Sequence, residues 1–513
     1  MLEKRLIVRG IYLNYLYLFV GFILSFFLTP IILQYLGQSA YGLWVIFGSI
    51  VGYFGLLDFG MNVATIKYTA EYHARNEQEN LNKHISTILV VFIIIGIFII
   101  LLCFGLTPFI PGLFNIPEDL ISVGRIAFFI MGLNVALGVL GATFGNMLYG
   151  YQRVDVWKTF GIIQTVANAS LTIIFLRLGF GLIGVVVASL LSILILIVLY
   201  LLFLHHSNLG IVINPKLADV NTLKKIAPYS IRSFMLSLTS QILYYTDNIV
   251  IGIFLGASTV TTYSIAYRLC FLATYIFSII TQTIFPAFTK LYTIEDIDGL
   301  KSLYLKTVKI SVVIMVPIGL FLGFFGRSFI NLWVGEENFV GMNVLLVLVI
   351  MDFLHAFGTP AGLLLQAVGK NKAFMFSEML NAGLNLLLSI ILVRRIGLVG
   401  VALGTLIASA CTSSWIVPLL ACKHTRLPVK RYLLSGILPP LLAGIPAGAI
   451  TWVFIRDLIP NHNFFYLAFK GILIVVTYLA IYFTVVATSE ERRMYFSLFF
   501  RKWAKSGNYS KTN

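Results

Sequence analysis

Charged residues are scarce in this sequence. Asp, Glu, Lys and Arg account for 11% of the 513 residues, whereas soluble globular chains contain about 25%. Hydrophobic residues account for 59% and the mean hydropathy is +0.95, which is more apolar surface than a water-soluble chain of this length can bury. This composition excludes a cytosolic enzyme, a secreted domain and a disordered scaffold, and it predicts an integral membrane protein.

Cysteine and acidic residues are also few. The four cysteines form no Cys-x-x-Cys pair, so neither a disulfide framework nor a zinc site is indicated, and we expect no metal and no cofactor. The formal net charge is +16, which in a soluble protein would suggest nucleic acid. Here the basic residues lie in short connections between apolar runs, where they orient helices and meet anionic lipid. Membrane lipids are therefore expected partners, and nucleic acid is not.

Apolar segments fill the chain from end to end, and fourteen are long enough to be read as bilayer crossings. No stretch alternates over the roughly ten residues that a barrel strand requires. The predicted fold class is therefore an all-α integral membrane protein with about 14 transmembrane helices. The segments are Ile11–Leu33, Tyr41–Phe59, Ile85–Leu106, Ile121–Leu148, Thr159–Leu176, Gly181–Leu204, Tyr229–Leu255, Tyr263–Phe285, Val308–Phe325, Met342–Leu365, Ala373–Val393, Gly397–Leu420, Leu433–Ile455 and Phe464–Ala487.

Basic residues are concentrated in alternate connections, and this set includes both termini. The opposite connections hold only Arg177, Arg327, Arg394, Arg395 and Arg456. Because cytoplasmic loops carry the excess of Lys and Arg, both termini are predicted to lie in the cytoplasm. We expect a multi-pass protein of the plasma (inner) membrane.

An internal repeat suggests how the helices are grouped. Asn168–Arg177 has a counterpart in Asn385–Arg394, and Leu36–Ser39 has one in Leu255–Ser258 at nearly the same separation. Chance similarity between apolar stretches is the alternative. A repeat with an even number of helices predicts two six-helix halves related by an axis along the membrane normal. The expected domains are an N-terminal bundle at 1–206, a C-terminal bundle at 207–424, two appended helices at 425–487 and a cytoplasmic tail at 488–513.

Charged side chains inside the apolar segments are the candidate functional residues. Each costs about 2.5–3.5 kcal/mol at the membrane centre, so it usually faces a partner or a wet cavity. Asp247 and Arg268 lie near the external ends of successive predicted helices and form one candidate structural pair. Asp58 and Arg232 lie near cytoplasmic ends and form another.

Two further acids and a lysine have different expected roles. Asp352 and His355 lie three residues apart on one helix face, where they form either a satisfied polar contact or a proton relay. Glu378 and Lys470 lie near helix ends, where long side chains are expected to reach the interface.

Several passages resemble the Wzx-type polysaccharide flippases of the multidrug/oligosaccharidyl-lipid/polysaccharide exporter superfamily. They are Leu36–Gly42, Gly55–Met61 with Lys67 following, and Asp247–Gly256 continuing to Tyr263–Leu269. The resemblance implies a flippase that moves an oligosaccharide on an undecaprenyl pyrophosphate-type lipid from the cytoplasmic to the outer leaflet, for cell-surface polysaccharide biosynthesis. Polysaccharide polymerase and glycosyltransferases are the other partners that it implies.

The same resemblance assigns candidate roles to residues. Family members have a central cavity between their halves, and Arg232 and Arg268 occupy helices expected to line it, where they would bind the pyrophosphate. Supporting or ion-coupling roles are expected for Asp58, Lys67, Asp247, Asp352 and His355.

Other functions remain open at this point. A cation-coupled multidrug exporter of the same superfamily is the alternative, because fold alone does not choose the substrate. A membrane polysaccharide polymerase or ligase is a weaker alternative, since no substantial external loop is available to carry catalytic residues. We expect a transporter and not an enzyme. A static scaffold would leave the buried charges unexplained.

Overall fold

The computed structural model describes residues 2–207, 209–456, 463–489, 491 and 492, and within these residues it contains helices and no strands. This confirms the predicted all-α fold class. The α-helices are α1 (Leu2–Phe54), α2 (Met61–Ala74), α3 (Gln78–Leu106), α4 (Ile110–Phe114), α5 (Glu118–Gly150), α6 (Val154–Arg177), α7 (Gly181–His206), α8 (Val220–Leu255), α9 (Ala257–Thr293), α10 (Ile297–Val334), α11 (Met342–Ala367), α12 (Asn371–Cys411), α13 (Ile416–Thr425), α14 (Val429–Arg431), α15 (Leu438–Ile450) and α16 (Phe464–Ile481). Short 3₁₀ turns occupy Gly55–Asp58, Pro215–Leu217 and Glu336–Asn338, and π-helical turns occupy Tyr432–Ile437, Thr451–Ile455 and Tyr482–Val486.

Ten helical stretches within the described residues are long and apolar enough to cross a membrane. The predicted apolar segments lie mainly in helix, except that the helix is interrupted at 412–415 within Gly397–Leu420, and two adjacent pairs of segments are joined. In α1 the join is at Gly37 (φ 71°, ψ 173°), and in α12 it is at Ile396 and Gly397 (φ 62°). Glycine adopts positive φ without a Cβ clash, which lets the chain change direction there with hardly any loop. The count of fourteen crossings stays a prediction.

The first of two compact units comprises Met1–Ile265 and Ala382–Thr405. Its principal helix pairs are α1 with α6, α6 with α7, α3 with α5, and α5 with α7. Phe47 and Phe128 are fully buried, and their rings pack edge to face with centroids 5.4 Å apart. Gly132 of α5 lies so close to Cys103 of α3 that a Cβ there would collide with the Sγ. A small residue therefore sets the distance between these helices.

The second unit comprises Ala266–Asn381 and Leu406–Asn513. Helix α10 contacts α11, α15 and α16 within it. Val312 of α10 is buried with Ala443 of α15 and Tyr478 of α16, and the stacked rings of Tyr304 and Tyr432 lie 5.8 Å apart. The segments predicted as two appended helices therefore pack on α10 in one apolar core. The division into two six-helix halves stays a prediction.

Lys470 of α16 differs from the sequence-based expectation. Its side chain is fully buried, so the expectation that it reaches the interface is wrong. The Nζ donates a 2.7 Å hydrogen bond to the carbonyl oxygen of Arg456 and lies 4.7 Å from the ring centroid of Phe325. A carbonyl near the end of the preceding helix and an aromatic face thus stabilise the ammonium inside the protein.

An ion pair ties the segment after α16 to α10. The Nζ of Lys309 donates hydrogen bonds of 2.7 and 2.9 Å to the two carboxylate oxygens of Glu491, and Lys309 is 9% exposed. Burial opposes ionisation of Glu491. The hydrogen bonds from Lys309 and from Thr488 outweigh that effect and lower the pKa of the carboxyl. Glu491 is therefore charged at neutral pH.

We expect the substitution Glu491→Gln to lower the free energy of unfolding at pH 7 by about 3 kcal/mol, because it leaves Lys309 buried without its counter-charge. A carboxyl whose pKa is lowered by folding contributes stability above its ordinary pKa and loses it as the pH falls through the lowered value. The difference from the wild type should therefore shrink below about pH 4. Thermal unfolding of the purified protein in detergent measures this difference in stability, with the exposed Glu118→Gln as control. Equal melting temperatures at pH 7 would contradict the prediction.

Candidate functional site

A buried carboxylate lies among polar side chains in the first compact unit. Asp247 of α8 is 5% exposed. Its Oδ2 accepts a 2.7 Å hydrogen bond from the hydroxyl of Tyr263 of α9 and a 2.9 Å bond from the Oγ1 of Thr405 of α12. Both donors are neutral, so these bonds orient the carboxylate without cancelling its charge.

Two more polar groups of α12 complete this cluster. The amide of Asn385 donates a 2.7 Å bond to the Oγ1 of Thr405, and Asn385 and Ser389 both lie close enough to the Asp247 carboxyl to favour its ionised form. They are one helical turn apart, so they share a face of α12. We call Asp247, Tyr263, Asn385, Ser389 and Thr405 the Asp247 cluster.

Several oxygens of the Asp247 cluster have unused bonding capacity. The Oδ1 of Asp247, the Oδ1 of Asn385 and the Oγ of Ser389 are buried without a hydrogen-bond partner among the described residues. A buried oxygen without a partner is costly, and oxygens of this kind, grouped around one negative charge, can bind a proton or a small hard cation. No group of three or more His, Cys, Asp or Glu side chains suited to a metal is found in the described part of the chain.

Sequence reasoning identified Asp247 but missed the other members of the cluster. A charge in an apolar helix is conspicuous by its cost, whereas Tyr, Thr, Ser and Asn are tolerated in apolar helices for many reasons. The available signal was the spacing of Asn385 and Ser389 by four residues in an otherwise apolar stretch.

The Asp58 carboxylate accepts hydrogen bonds from residues of its own turn. It precedes a turn in which Phe59 and Gly60 both have positive φ, 47° and 75°. The Asp58 Oδ1 accepts a 2.7 Å bond from the backbone N–H of Gly60, and its Oδ2 accepts a 2.8 Å bond from the amide of Asn62. A Cβ at Gly60 would also collide with the carbonyl oxygen of Ser230 of α8. Asp58 therefore holds the turn that leads into α2, where that helix closely approaches α8.

Lys67 lies on an aromatic surface. It is exposed, and its Nζ lies 4.5 Å from the ring centroid of Tyr68 and 4.7 Å from that of Tyr229 of α8. Nearby, the Nζ of Lys225 donates a 3.1 Å bond to the hydroxyl of Tyr72. Among the described residues, neither ammonium group has a carboxylate within 4.0 Å. We call these four aromatic and basic residues of α2 and α8 nearest the turn (Lys67, Tyr68, Lys225 and Tyr229) the Lys67 surface.

The two predicted cargo arginines are only partly described. Arg232 lies in α8, and its side chain lies outside the described residues, as does its predicted pair with Asp58. Arg268 lies in α9 and is half-buried. Asp247 and Arg268 belong to different compact units, and the pair between them stays a prediction.

Asp352 and His355 lie on α11 in the second unit. Asp352 is 4% exposed, and its carboxylate accepts a hydrogen bond from the hydroxyl of Thr274 of α9. The Nε2 of His355 lies 3.5 Å from the Oγ of Ser409 of α12. The ion pairs found among the described residues do not join Asp352 to His355, so each has its own neutral partner. The proton relay stays a prediction.

A bundle of apolar helices with a buried, incompletely satisfied carboxylate is the architecture of a membrane transporter. The chain belongs to the polysaccharide biosynthesis protein family, whose model matches residues 32–338. This confirms the family resemblance predicted from the motifs, because the matched region contains all of them.

Relatives of known name align over most of the chain. An uncharacterized membrane protein, EpsK, of Bacillus subtilis is 22% identical over 92% of this chain and 94% of its own length. A putative O-antigen export protein of Yersinia pseudotuberculosis is 21% identical over 78% of this chain and 92% of its own. A probable low-salt glycan biosynthesis flippase, Agl15, of Haloferax volcanii is 24% identical over 38% of this chain and 41% of its own.

Solved structures of transporters share the fold. The lipid II flippase MurJ in an inward closed conformation superposes with a TM-score of 0.71 at 17% identity, covering 96% of this chain and all of that chain. An inward-facing multidrug resistance MATE family transporter superposes with a TM-score of 0.67 at 17% identity, covering 80% of this chain and 94% of that chain. At such identities the likeness establishes the architecture, and the protein is a multi-pass membrane protein of this fold.

We expect Asp58→Ala to lower the free energy of unfolding by about 1 kcal/mol, because the N–H of Gly60 and the amide of Asn62 lose their acceptor. Asp58→Asn should have a smaller effect, since it keeps one carbonyl oxygen for the backbone bond. Thermal unfolding in detergent measures both variants against the exposed Asp119→Ala. If Asp58→Ala melts with the wild type, Asp58 does not stabilise the turn.

Proposed function

We propose that this protein is a flippase that moves a lipid-linked oligosaccharide, of the undecaprenyl pyrophosphate type, from the cytoplasmic to the outer leaflet for cell-surface polysaccharide biosynthesis. The match of residues 32–338 to the polysaccharide biosynthesis family carries the proposal. Relatives named for O-antigen export and for glycan flipping support it. The protein performs no chemical step on its cargo in this proposal; glycosyltransferases make the cargo and a polymerase consumes it.

The proposed location is the plasma (inner) membrane, with both termini in the cytoplasm. The concentration of Lys and Arg in alternate connections supports this orientation. It places the Lys67 surface at the cytoplasmic side, where the lipid-linked cargo is made. Two ammonium groups that form no ion pair with a described carboxylate within 4.0 Å suit an approaching phosphate, and tyrosine rings suit the apolar faces of sugar rings.

Arg232 and Arg268 are the proposed binding residues for the pyrophosphate within the membrane. The lipid tail can stay in the bilayer, so only the head group needs a path through protein. A pyrophosphate moved through hydrocarbon loses its hydration, and guanidinium groups compensate for this by bidentate hydrogen bonds. Arginine also keeps its charge when it is buried.

The Asp247 cluster is the proposed site of a coupling cation. The unpartnered oxygens of Asp247, Asn385 and Ser389 support this role, because a bound cation would satisfy them and neutralise the carboxylate. Asp352 and His355 are a second candidate, for a proton. The sequence offers no phosphate-binding loop that would let a nucleotide drive the transport.

A multidrug exporter is the second candidate function, because the MATE transporters share this fold. Their cargo, if cationic, is disfavoured by arginine in the path and by the Lys67 surface. Transport of a cationic dye with no transport of lipid-linked glycan would favour that alternative.

Translocation in proteoliposomes tests the flippase proposal. With a fluorescent lipid-linked oligosaccharide and no ion gradient, wild-type protein should equilibrate the lipid between leaflets, and Arg268→Ala should slow this at least tenfold, since one charge-assisted phosphate contact is worth more than about 1.4 kcal/mol. The exposed Arg125→Ala is the matched control.

The alternative role of Arg268 is to neutralise Asp247. In that case the double variant Asp247→Ala, Arg268→Ala should regain the rate that Arg268→Ala loses. If Arg268 binds cargo, the double variant stays slow at the same membrane level. Wild-type protein that moves no labelled lipid would refute the flippase proposal itself.

Coupling is tested by adding a cation gradient and a membrane potential to the same vesicles. One elementary charge moved through 100 mV contributes about 2.3 kcal/mol, or roughly a fifty-fold change in the distribution of cargo. Asp247→Asn should abolish this accumulation and leave equilibration intact, because it removes the charge that the cation neutralises. The variant Asp119→Asn, at an exposed site, should accumulate cargo to the same extent as the wild type. Normal accumulation by Asp247→Asn would exclude the Asp247 cluster as the coupling site.

A further inference from the structure

A second group of buried oxygens lies where α12 ends and α13 begins, in the second compact unit. The chain leaves helical geometry between Cys411 and Ile416, and Thr412, Ser413 and Ser414 in this break are all buried. Non-helical backbone at membrane depth is tolerated only where its polar groups find partners inside the protein.

Two carbonyl oxygens of the break accept none of the hydrogen bonds found among the described residues. The backbone N–H groups in and just after the break donate to the carbonyl oxygens of Ser409 and Thr412. None of them donates to the carbonyl oxygen of Ser413 or Ser414. Pro418 explains part of this, because a proline has no N–H to donate to the carbonyl four residues earlier. Ser414 is the residue at that position.

A polar face of α12 lies against the break. The amide of Asn381 donates a 3.2 Å hydrogen bond to the Oγ of Ser413, and Asn381 also interacts with the carboxyl of Glu378 one turn earlier. Ser377 lies one turn before Asn381 on the same face. Glu378 is only partly exposed, and its contact with Asn381 connects its carboxyl to the residue that bonds to Ser413.

Three side-chain oxygens of this group have no hydrogen-bond partner among the described residues. They are the Oγ of Ser377, the Oδ1 of Asn381 and the Oγ of Ser414, and all three are buried. With the carbonyls of Ser413 and Ser414 they form a set of neutral oxygens beside a single carboxylate. Gly358 of α11 packs against the break from another helix, because a Cβ at this position would lie 3.4 Å from the carbonyl oxygen of Ser413.

We infer that this group, which we call the α12–α13 break site, binds one Na⁺ ion. Its ligands are the carboxylate of Glu378, the side-chain oxygens of Ser377, Asn381 and Ser414, and the carbonyl oxygens of the break. Oxygen ligands select a hard cation, and one carboxylate with neutral oxygens balances a single positive charge, whereas Mg²⁺ and Ca²⁺ sites usually contain more carboxylates or keep several waters. The ion satisfies the oxygens that the broken helix leaves without partners. This inference is independent of the proposed cargo.

The α12–α13 break site is separate from the Asp247 cluster in chemistry and in the compact unit to which it belongs. One site is built on a carboxylate with two hydroxyl donors, the other on a carboxylate beside unwound backbone. Substitution in one should therefore leave cation binding in the other intact, which allows the two proposals to fail separately.

Binding of ²²Na⁺ to the purified full-length protein in nanodiscs tests the inference. The protein is prepared in choline buffer at pH 8. We expect Glu378→Gln to bind one Na⁺ fewer per chain than the wild type. Asp247→Asn should retain this ion, and the exposed Glu118→Gln should match the wild type.

A second pair of variants protects the test against misfolding. Asn381→Ala and Ser414→Ala each remove one neutral ligand, and we expect each to weaken Na⁺ binding about tenfold without abolishing it. The melting temperature in choline buffer identifies folded variants, and the rise in melting temperature on adding Na⁺ should be reduced in these variants and in Glu378→Gln.

Three results would overturn the inference. They are a wild type that binds no Na⁺, a Glu378→Gln protein that binds as much Na⁺ as the wild type, and a stabilisation that K⁺ or choline produces equally well. A wild-type protein in which Glu378 exchanges a proton and no Na⁺ binds is an example of the first result. The second result, combined with loss of Na⁺ binding in Asp247→Asn, would assign the ion to the Asp247 cluster and leave the flippase proposal untouched.

Discussion

Hydrocarbon offers no hydrogen bonds, and the architecture of this protein follows from that constraint. Helices satisfy their own backbone groups, so an all-helical chain can enter the bilayer. The places where the helices break need other partners. At the Gly37 join in α1, the hydroxyl of Thr261 donates a 2.7 Å bond to the carbonyl of Gln38. At the turn before α2, the carboxylate of Asp58 accepts the N–H of Gly60. Polar side chains therefore lie where the backbone is irregular.

The same constraint gives functional meaning to charges. A carboxyl group such as Asp247, held by neutral donors, has no counter-charge in these bonds and can take up a proton or a cation. In an ion pair such as Lys309 with Glu491, the two charges already neutralise each other, so the pair stabilises the folded protein and has no charge left for a cation. The first kind of site responds to an ion, and the second fixes helices together. This difference separates the residues proposed to work in transport from those that hold the fold.

Fold and cargo are decided at different levels. A lipid II flippase and a multidrug transporter superpose on this chain at 17% identity, so the backbone arrangement accommodates very different cargo. Selection must come from side chains that differ among these proteins. In this protein we propose that the basic residues of the Lys67 surface and the two arginines of α8 and α9 select an anionic head group.

The sequence alone determined the environment and the class of structure. Apolar runs predicted the helices, the cost of burial marked Asp247 and Asp352 as exceptional, and the motif order indicated the family. These inferences succeed because each depends on residues close together in the chain. The failure at Lys470 is instructive, since the length of a lysine side chain allows it to turn inward as readily as outward.

Only the tertiary structure decided what surrounds each exceptional residue. Thr405 is 158 residues from Asp247, and Ser413 is 32 from Asn381, separations that periodicity and propensity do not connect. Serine, threonine and asparagine in apolar helices give no sign of whether they bond to their own backbone or to a distant carboxylate. The oxygens left without partners emerge only when the helices are packed, because satisfaction of a polar group depends on everything that packs around it.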